Sequence, residues 1–525
     1  GVLKPPSGCC SCPWPACPPA AGGPDRPTGP QGRHGGVQQR SRSVAAGVLC
    51  AVRSWRRLDA ALLRVWMARR QVFDITHFGA RPGGVADCTD AIAAAIAAAA
   101  AAARRSEPSS ASTRLIVRVP PGQFLTRPFN LSSGLELQID GTVIGAIGAE
   151  ALERWPQLPP LPTYGRDRDG AKKQRYQALI MASGAHDLRI RGRGSVDGQG
   201  AWWWARRRRL RAGRPHLLEL YNSSGVELAG VTFVDSPFWT IHPVYSEYIH
   251  IHHVKIRAPL YAPNTDGIDP DSSRHVLIEH NDIRCGDDHV AVKAGLNALA
   301  RDSFPLYSTE NVTVRYNTLY AGMGIAIGSE TSGGIRGIDV HDNVMHGEGW
   351  SVALHVKTTP QRGNMVANIS FRHNAVFNTT GFMRLETAYQ GAKGKPLPVS
   401  YKPTVISNLS WLSNGYQHGD RTRSKWMCPT SYRTCHGLVI KDNSMPRGST
   451  WRCAGVGSAD VAGNLPAGLE ACMHRGNSPR KSARRKGRHA KDIKSRKKLS
   501  KAGFSAACPF CAERDRRYKL FRATD

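Results

Sequence analysis

Short runs that alternate apolar and polar residues recur through the middle of the chain. VLIEHNDI (276–283), VTVRYNTL (312–319), IDVHDNVM (338–345), ISFRHNAV (369–376) and LVIKDNSM (438–445) share one pattern: apolar, x, apolar, x, x, Asn, x, apolar. VELAGVTF (226–233) and IHIHHVKI (249–256) are looser copies without the asparagine. A period of two marks a strand with one buried face. From 226 to 369 successive copies start 23, 27, 36, 26 and 31 residues apart. Strands at such intervals with a turn residue in a fixed place predict the coils of a parallel β-helix. Asn281, Asn317, Asn343, Asn374 and Asn443 are expected to stack coil on coil, each amide bonding to neighbouring backbone while the residue itself takes the left-handed bend. A β-sandwich is the competing architecture, but it favours hairpins with two-residue loops, which are scarce here.

An open end of such a stack exposes core and unpaired backbone, so it needs a cap. CTDAIAAAIAAAAAAARR (88–105) supplies a strong helix former, with Asp90 near its start and arginines at its end. It is expected to lid the first coil. It is too short and too weakly apolar to span a membrane.

Charge separates the ends from the middle. The chain of 525 residues carries +32, of which residues 1–70 hold +9 and residues 478–525 hold +13, leaving +10 between them. Residues 1–70, rich in Pro, Gly and Cys, and the basic tail 476–525 show no apolar periodicity and are expected to be disordered. Residues 71–475 are expected to form the folded domain. Its basic balance suits a polyanionic partner, an acidic glycan or nucleic acid. Cys428/Cys435 and Cys453/Cys472 are disulfide candidates if the protein is secreted. Six N-x-[ST] sequons, at Asn130, Asn222, Asn311, Asn368, Asn378 and Asn408, point the same way, although no leader-like segment is legible.

Against this charge stands an acidic cluster. PNTDGIDPD (263–271) holds Asp266, Asp269 and Asp271, and CGDDHVAVKAG (285–295) holds Asp287 and Asp288. Asp266 and the Asp287/Asp288 pair are about one coil apart, so they are expected to face each other across one strand spacing, roughly 4.8 Å. Converging carboxylates suit glycoside hydrolysis, where one must be protonated to assist the leaving oxygen and another ionised to activate water. Crowding of like charges supplies that split. A calcium site is the alternative for such a cluster. Asp269 and Asp271 read as turn residues bonding their own backbone. His355 and Lys357, two apart on one strand, share a face, and Lys293 follows the paired aspartates. Lysines beside a cleft suit an acidic sugar.

These motifs resemble glycoside hydrolase family 28, the polygalacturonases, and within it the plant-type branch. The likeness runs from VFDITHFGARPGGVADCTDAI (72–92) through GSVDGQGAWWW, APNTDGIDPD, the GDD, IAIGSETSGG and LHVKTTPQRG, and fades after about residue 475. It implies a right-handed, single-stranded parallel β-helix of the pectin-lyase-like kind. It implies a secreted or cell-wall, monomeric hydrolase that cleaves α-1,4-galacturonan of pectin with inversion, without metal or other cofactor. By motif Asp287 is the general acid, and Asp266 and Asp288 are the pair that activates water. His355 and Lys357 take the place of the pair that grips the substrate carboxylate, and Asn264 orients Asp266 and borders the substrate. The family's Gly-His-Gly histidine is absent, with Met323 in its place, and His289 stands where a cysteine is usual. Neither a specific nucleic-acid partner nor a membrane is implied. The rival reading is a catalytically weak β-helix that binds acidic glycan.

Overall fold

The computed structural model describes residues 70–105, 113–165, 173–348, 351–389, 403–417, 422–428, 435–446, 448–456 and 459–462. The two disordered extensions expected from the sequence lie outside these residues, apart from Arg70, which opens the first strand, Arg70–Asp74.

The alternating segments are strands, and they pair in parallel and in register with the next copy along the chain. Arg274–Glu279 buries Val276 and Ile278 and pairs with Thr309–Arg315 through Val276↔Val312 and Ile278↔Val314. Repetition of this step builds three long faces. The first has 13 strands and the second 10. The third consists of a four-stranded part, Phe129–Leu131 to Ile241–Val244, and a six-stranded part, Val290–Val292 to Thr450–Ala454. Between the two parts runs the aspartate-rich segment. Ile268 bridges Ile241 and Val290, while Asp271 bridges Val244 and Lys293, so the third face is continuous. One core of Val, Ile, Leu and Phe fills the interior from Ile75 to Trp451.

The asparagines form a column. In the run Asn281, Asn317, Asn343, Asn374, Asn414 and Asn443, every member after the first presents Oδ1 to the backbone N–H and the Nδ2 of the preceding one, at 2.9–3.1 Å, and Asn281 Oδ1 accepts from the Val254 N–H at 3.0 Å. Each Nδ2 also donates to a strand carbonyl of the coil before it; that of Asn343 reaches Val314 at 2.9 Å. Two details differ from the sequence expectation. Asn414 also belongs to the column: LSWLSNGY (409–416) carries the same repeat but is not among the copies aligned above. The left-handed bend falls on the residue before each asparagine: His280, Tyr316, Asp342, His373, Ser413 and Asp442 all have φ of 52–55°. The asparagine itself is freed to serve as the bonding group.

The helix Thr89–Arg105 turns Ile92, Ala95, Ile96, Ala99 and Ala102 into the core and so closes the first coil. Its first turn is capped by Asp87, whose Oδ1 accepts from the Thr89 N–H at 3.0 Å, and Arg127 holds the other oxygen of Asp87 at 2.8 Å. At the other end of the described residues Cys428 and Cys435 are disulfide-bonded. Cys453 is bonded too, and Cys472 lies outside the described residues.

Asn343→Ala should strip the Asn317 backbone N–H and Nδ2 of their acceptor and leave the Val314 carbonyl short of a donor. Unmade buried bonds each cost about 1–3 kcal/mol. Urea unfolding is expected to show a loss of at least about 3 kcal/mol, and an unchanged midpoint would deny the column a stabilising role.

Candidate active site

Two close approaches between coils bring the carboxylates together, and each requires glycine. A Cβ on Gly267 would lie 2.4 Å from the His289 carbonyl oxygen, and one on Gly286 would lie 2.1 Å from that of Ala262. With these contacts made, Gly267 N–H donates to the Asp288 carbonyl at 2.9 Å and the two acidic segments lie side by side. One oxygen from each of Asp266, Asp287 and Asp288 lies within 4.8 Å of the others. Asp266 and Asp288 are buried, whereas Asp287 is half-buried and reaches the surface of the cleft.

Ammonium groups compensate part of this charge. Lys357 Nζ bonds Asp288 Oδ2. Lys293 Nζ lies 3.3 Å from Asp266 Oδ2, 3.5 Å from Asp269 Oδ2 and 3.7 Å from Glu330 Oε2, and it sits 4.3 Å over the Trp239 ring. Among the described residues no lysine or arginine makes such a contact with Asp287. Burial, then the charges of Asp266 and Asp288, push its carboxyl up to about 8. Burial also raises Asp266, against the pull of Lys293.

The structure corrects two expectations. Asp269 and Asp271 are not turn residues bonding their own backbone; both are fully buried on the third face and face distant partners. Burial drives Asp269 well above the carboxylate range, against the opposing charge of Lys293. Asp271 accepts from the Tyr164 hydroxyl at 2.5 Å and from the Gly295 N–H at 3.0 Å, and its Oδ2 lies 3.5 Å from His242 Nε2. Lys293 is buried among protein carboxylates, so its charge is engaged by the chain itself.

His355 and Lys357 do share an outward face, flanking the inward Val356. Lys357 Nζ also sits 5.4 Å over the Tyr389 ring, and the His355 ring meets Tyr389 edge-on at 5.9 Å. Burial and the neighbouring charges of Lys357, Arg384 and Lys425 hold His355 well below the usual histidine range, hence neutral. Asn264, with φ of 57°, accepts from Arg214 Nη2 at 2.9 Å. Arg214 also ties down the carbonyls of Pro237 and Pro263 and lies over the Phe238 ring at 4.7 Å. Met323 is half-buried, and its N–H donates to the Asp287 carbonyl at 2.8 Å. His289 is buried and bonds the Gly324 N–H and the Tyr320 carbonyl, as a core residue would. Sequence reading gave no role to Arg214, Trp239, Glu330 or Tyr389. Glu330 was visible within the IGSE motif; the others carry no local signal.

Neither carboxylate-rich grouping fits a divalent cation well. Two of the three clustered aspartates already hold ammonium groups. A second grouping, His216, Glu219 and His242, faces one oxygen, Glu219 Oε2, and Arg175 occupies that oxygen at 2.7 Å.

Comparison with known proteins bears on the arrangement. Residues 110–462 match the profile of Glycosyl hydrolases family 28. The chain belongs to this family. A probable polygalacturonase of Vitis vinifera is 38% identical over 262 residues, which is 48% of this chain and 52% of that one. An endo-polygalacturonase of Pectobacterium carotovorum subsp. carotovorum is 30% identical over 293 residues, covering 52% and 68%. The chain thus spans about half the length of the Vitis relative. Among solved structures, the exopolygalacturonase of Thermotoga maritima superposes with a TM-score of 0.59 at 24% identity, covering 75% of this chain and 92% of that one. The polygalacturonase of Erwinia carotovora gives 0.56 at 22% identity, covering 73% and 95%. These confirm the right-handed parallel β-helix as the fold.

The folded protein holds the Asp287 proton far more tightly than an unfolded chain would, where the carboxyl sits near 3.8. Folded-state stability attributable to this group is therefore complete below about pH 4 and is lost as pH rises towards about 8. Asp287→Asn removes that dependence. Its stability relative to the parent should grow across this window, on the order of 1–3 kcal/mol by pH 8 after allowance for coupling to Asp266 and Asp288. Thermal melts at pH 4, 6 and 8 measure it; a constant difference would place the carboxyl in its ordinary range.

Proposed function

We propose that the protein hydrolyses the α-1,4-galacturonosyl linkages of polygalacturonate. The observation that carries this reading is the asymmetry within the aspartate trio. Asp266 and Asp288 each hold an ammonium partner, whereas Asp287 has none in contact among the described residues and has its carboxyl raised to about 8. At neutral pH Asp287 is protonated, reachable from the cleft, and suited to give its proton to the leaving glycosidic oxygen. Asp266 and Asp288 hold a water between them, and the ionised member takes its proton as the water attacks the anomeric carbon. The proton given by Asp287 stays with the released sugar hydroxyl; the proton taken from water passes to solvent, and Asp287 takes one back from solvent before the next turnover.

Lys357 serves two charges in this scheme. It pairs with Asp288, and it lies beside His355 where a substrate carboxylate would arrive. A bidentate or charge-assisted contact there recognises a uronic acid and not a neutral hexose. Lys293 is assigned to holding Asp266 and Asp269 in place, not to the substrate. Asn264, fixed by Arg214, lines the same edge. The likeness to the Vitis and Pectobacterium enzymes supports the substrate class. The disulfides support an oxidising, extracellular location, and nothing in the scheme requires a second subunit.

The carboxylate spacing is closer than the roughly 6.5–9.5 Å usual for inverting pairs. Inversion therefore rests on family membership and on the division of labour among three carboxylates instead of two. It predicts the β-anomer as the first product from the α-linked polymer, seen by proton NMR before mutarotation; the α-anomer first would replace inversion by a covalent intermediate.

Asp287→Asn retains shape but has no proton to give, so reducing-sugar release from polygalacturonate should fall by at least about 10²-fold. Parent-level turnover in that variant would remove Asp287 from the acid role. Binding of oligogalacturonate without turnover in the parent protein would favour the glycan-binding reading.

A further inference from the structure

The third face carries two outward rows of side chains along the stack. One runs Glu219, His242, then by continuation of the register Asp269, and later His355, Arg384, Lys425 and Arg452. The other runs Tyr221, Val244, Asp271 and Lys293, and later Lys357 and Glu386. Outward residues of a β-helix ordinarily meet solvent. Next to the catalytic coils they do not: Glu219, His242 and Asp271 are 0% exposed and His355 and Lys357 are buried, while Tyr221, at the outer end of its row, is partly exposed. On the C-terminal side Arg384, Glu386 and Lys425 are partly exposed and Arg452 is exposed.

The cover is built by the chain itself. Leu161 and Tyr164 pack with Phe238, Trp239 and Val244 in a cluster separate from the main core. Tyr164 meets Trp239 edge-on at 6.4 Å, and Phe238 stacks on Trp239 at 4.9 Å. The covering segment is pinned on both flanks. Thr163 Oγ1 lies 2.7 Å from the Tyr245 hydroxyl, the Thr163 carbonyl accepts from the N–H groups of Leu296 and Asn297, and Asn297 Nδ2 holds the Pro162 carbonyl at 2.8 Å. This aromatic wall adjoins the catalytic group directly, since Lys293 touches both the Trp239 ring and Asp266.

We propose that the cleft is closed at its N-terminal end by this wall, and that the protein therefore acts on the ends of a polyuronate chain and releases only a monomer or dimer. This rests on the hydrolase reading above. A polymer threaded over the aspartates in mid-chain would have to pass through Trp239, Leu161 and Tyr164. A chain end does not have to pass the wall to reach the carboxylates. The rest of the polymer lies over the C-terminal coils, where Arg384, Lys425 and Arg452 stand at successive strand spacings and offer positive charge to a polyanion.

The test is the size profile of products from polygalacturonate at low conversion, with viscosity followed in parallel. Monomer or dimer alone, with viscosity holding while reducing ends accumulate, is the expected result. A ladder of intermediate oligomers with an early fall in viscosity overturns the closed end while leaving hydrolysis intact. Absence of any product overturns the hydrolase reading and this proposal with it. Leu161→Ala/Tyr164→Ala opens the wall; it removes the Tyr164–Asp271 bond but no contact of Asp266, Asp287 or Asp288, and longer products should then appear at least tenfold above the parent level. Tyr164→Ala alone serves if the double variant does not fold. A folded wall variant with the parent profile would show that the wall does not set product length.

Discussion

In-register parallel pairing is the constraint on which everything else in this molecule rests. Each coil bonds only to the coil before and the coil after, so a side chain at one position in the repeat is held one strand spacing from its counterpart. Like residues are thereby forced to stack. For asparagine this is favourable, because an amide is both donor and acceptor and can bond to itself without end. Asn281 to Asn443 exploit that in six consecutive positions. The residue before each asparagine supplies the left-handed turn, which leaves the amide free to face along the axis.

For carboxylates the same stacking is unfavourable, and the active site follows from it. Asp266, Asp269, Asp287, Asp288 and Glu330 gather around two ammonium groups, Lys293 and Lys357. Charge cannot balance, so protons must remain, and they remain where no lysine makes contact. Asp287 is that position; Asp269 has to share Lys293 with Asp266 and Glu330, and burial raises its carboxyl despite that contact. A network that keeps one carboxyl protonated at neutral pH needs no special hydrogen bond to do so; incomplete compensation in a buried place is sufficient.

Much of this was legible in the chain because the repeat is written in residue types with fixed physical roles. Alternating Val and Ile gave the strands, the column of asparagines gave the coil axis, and the interval between Asp266 and Asp287 gave their meeting. What was illegible depends on contacts between distant segments. The turn-like look of Asp269 and Asp271 is a local property, and their burial comes from Lys293 and from Tyr164, which is 107 residues away from Asp271. Arg214 reaches Asn264 across 50 residues. Asn414, by contrast, was legible: LSWLSNGY (409–416) carries the full repeat, with its asparagine in the same place as in the other copies.

The neutral state of His355 completes the electrostatic argument. It stands between Lys357, Arg384 and Lys425, and a fourth positive charge there would be repelled by these three in a buried place. Burial and those charges together keep the ring uncharged. Glu386 sits among the same cations, 3.1 Å from Lys425 and 4.0 Å from Arg384, and screens them from each other. The face next to the aspartates is thus graded: surplus negative charge at the catalytic coils, one ammonium at their edge, then a neutral histidine and a partly compensated basic row. For the uronate polymer proposed above, that row would offer attraction along its length rather than at one point.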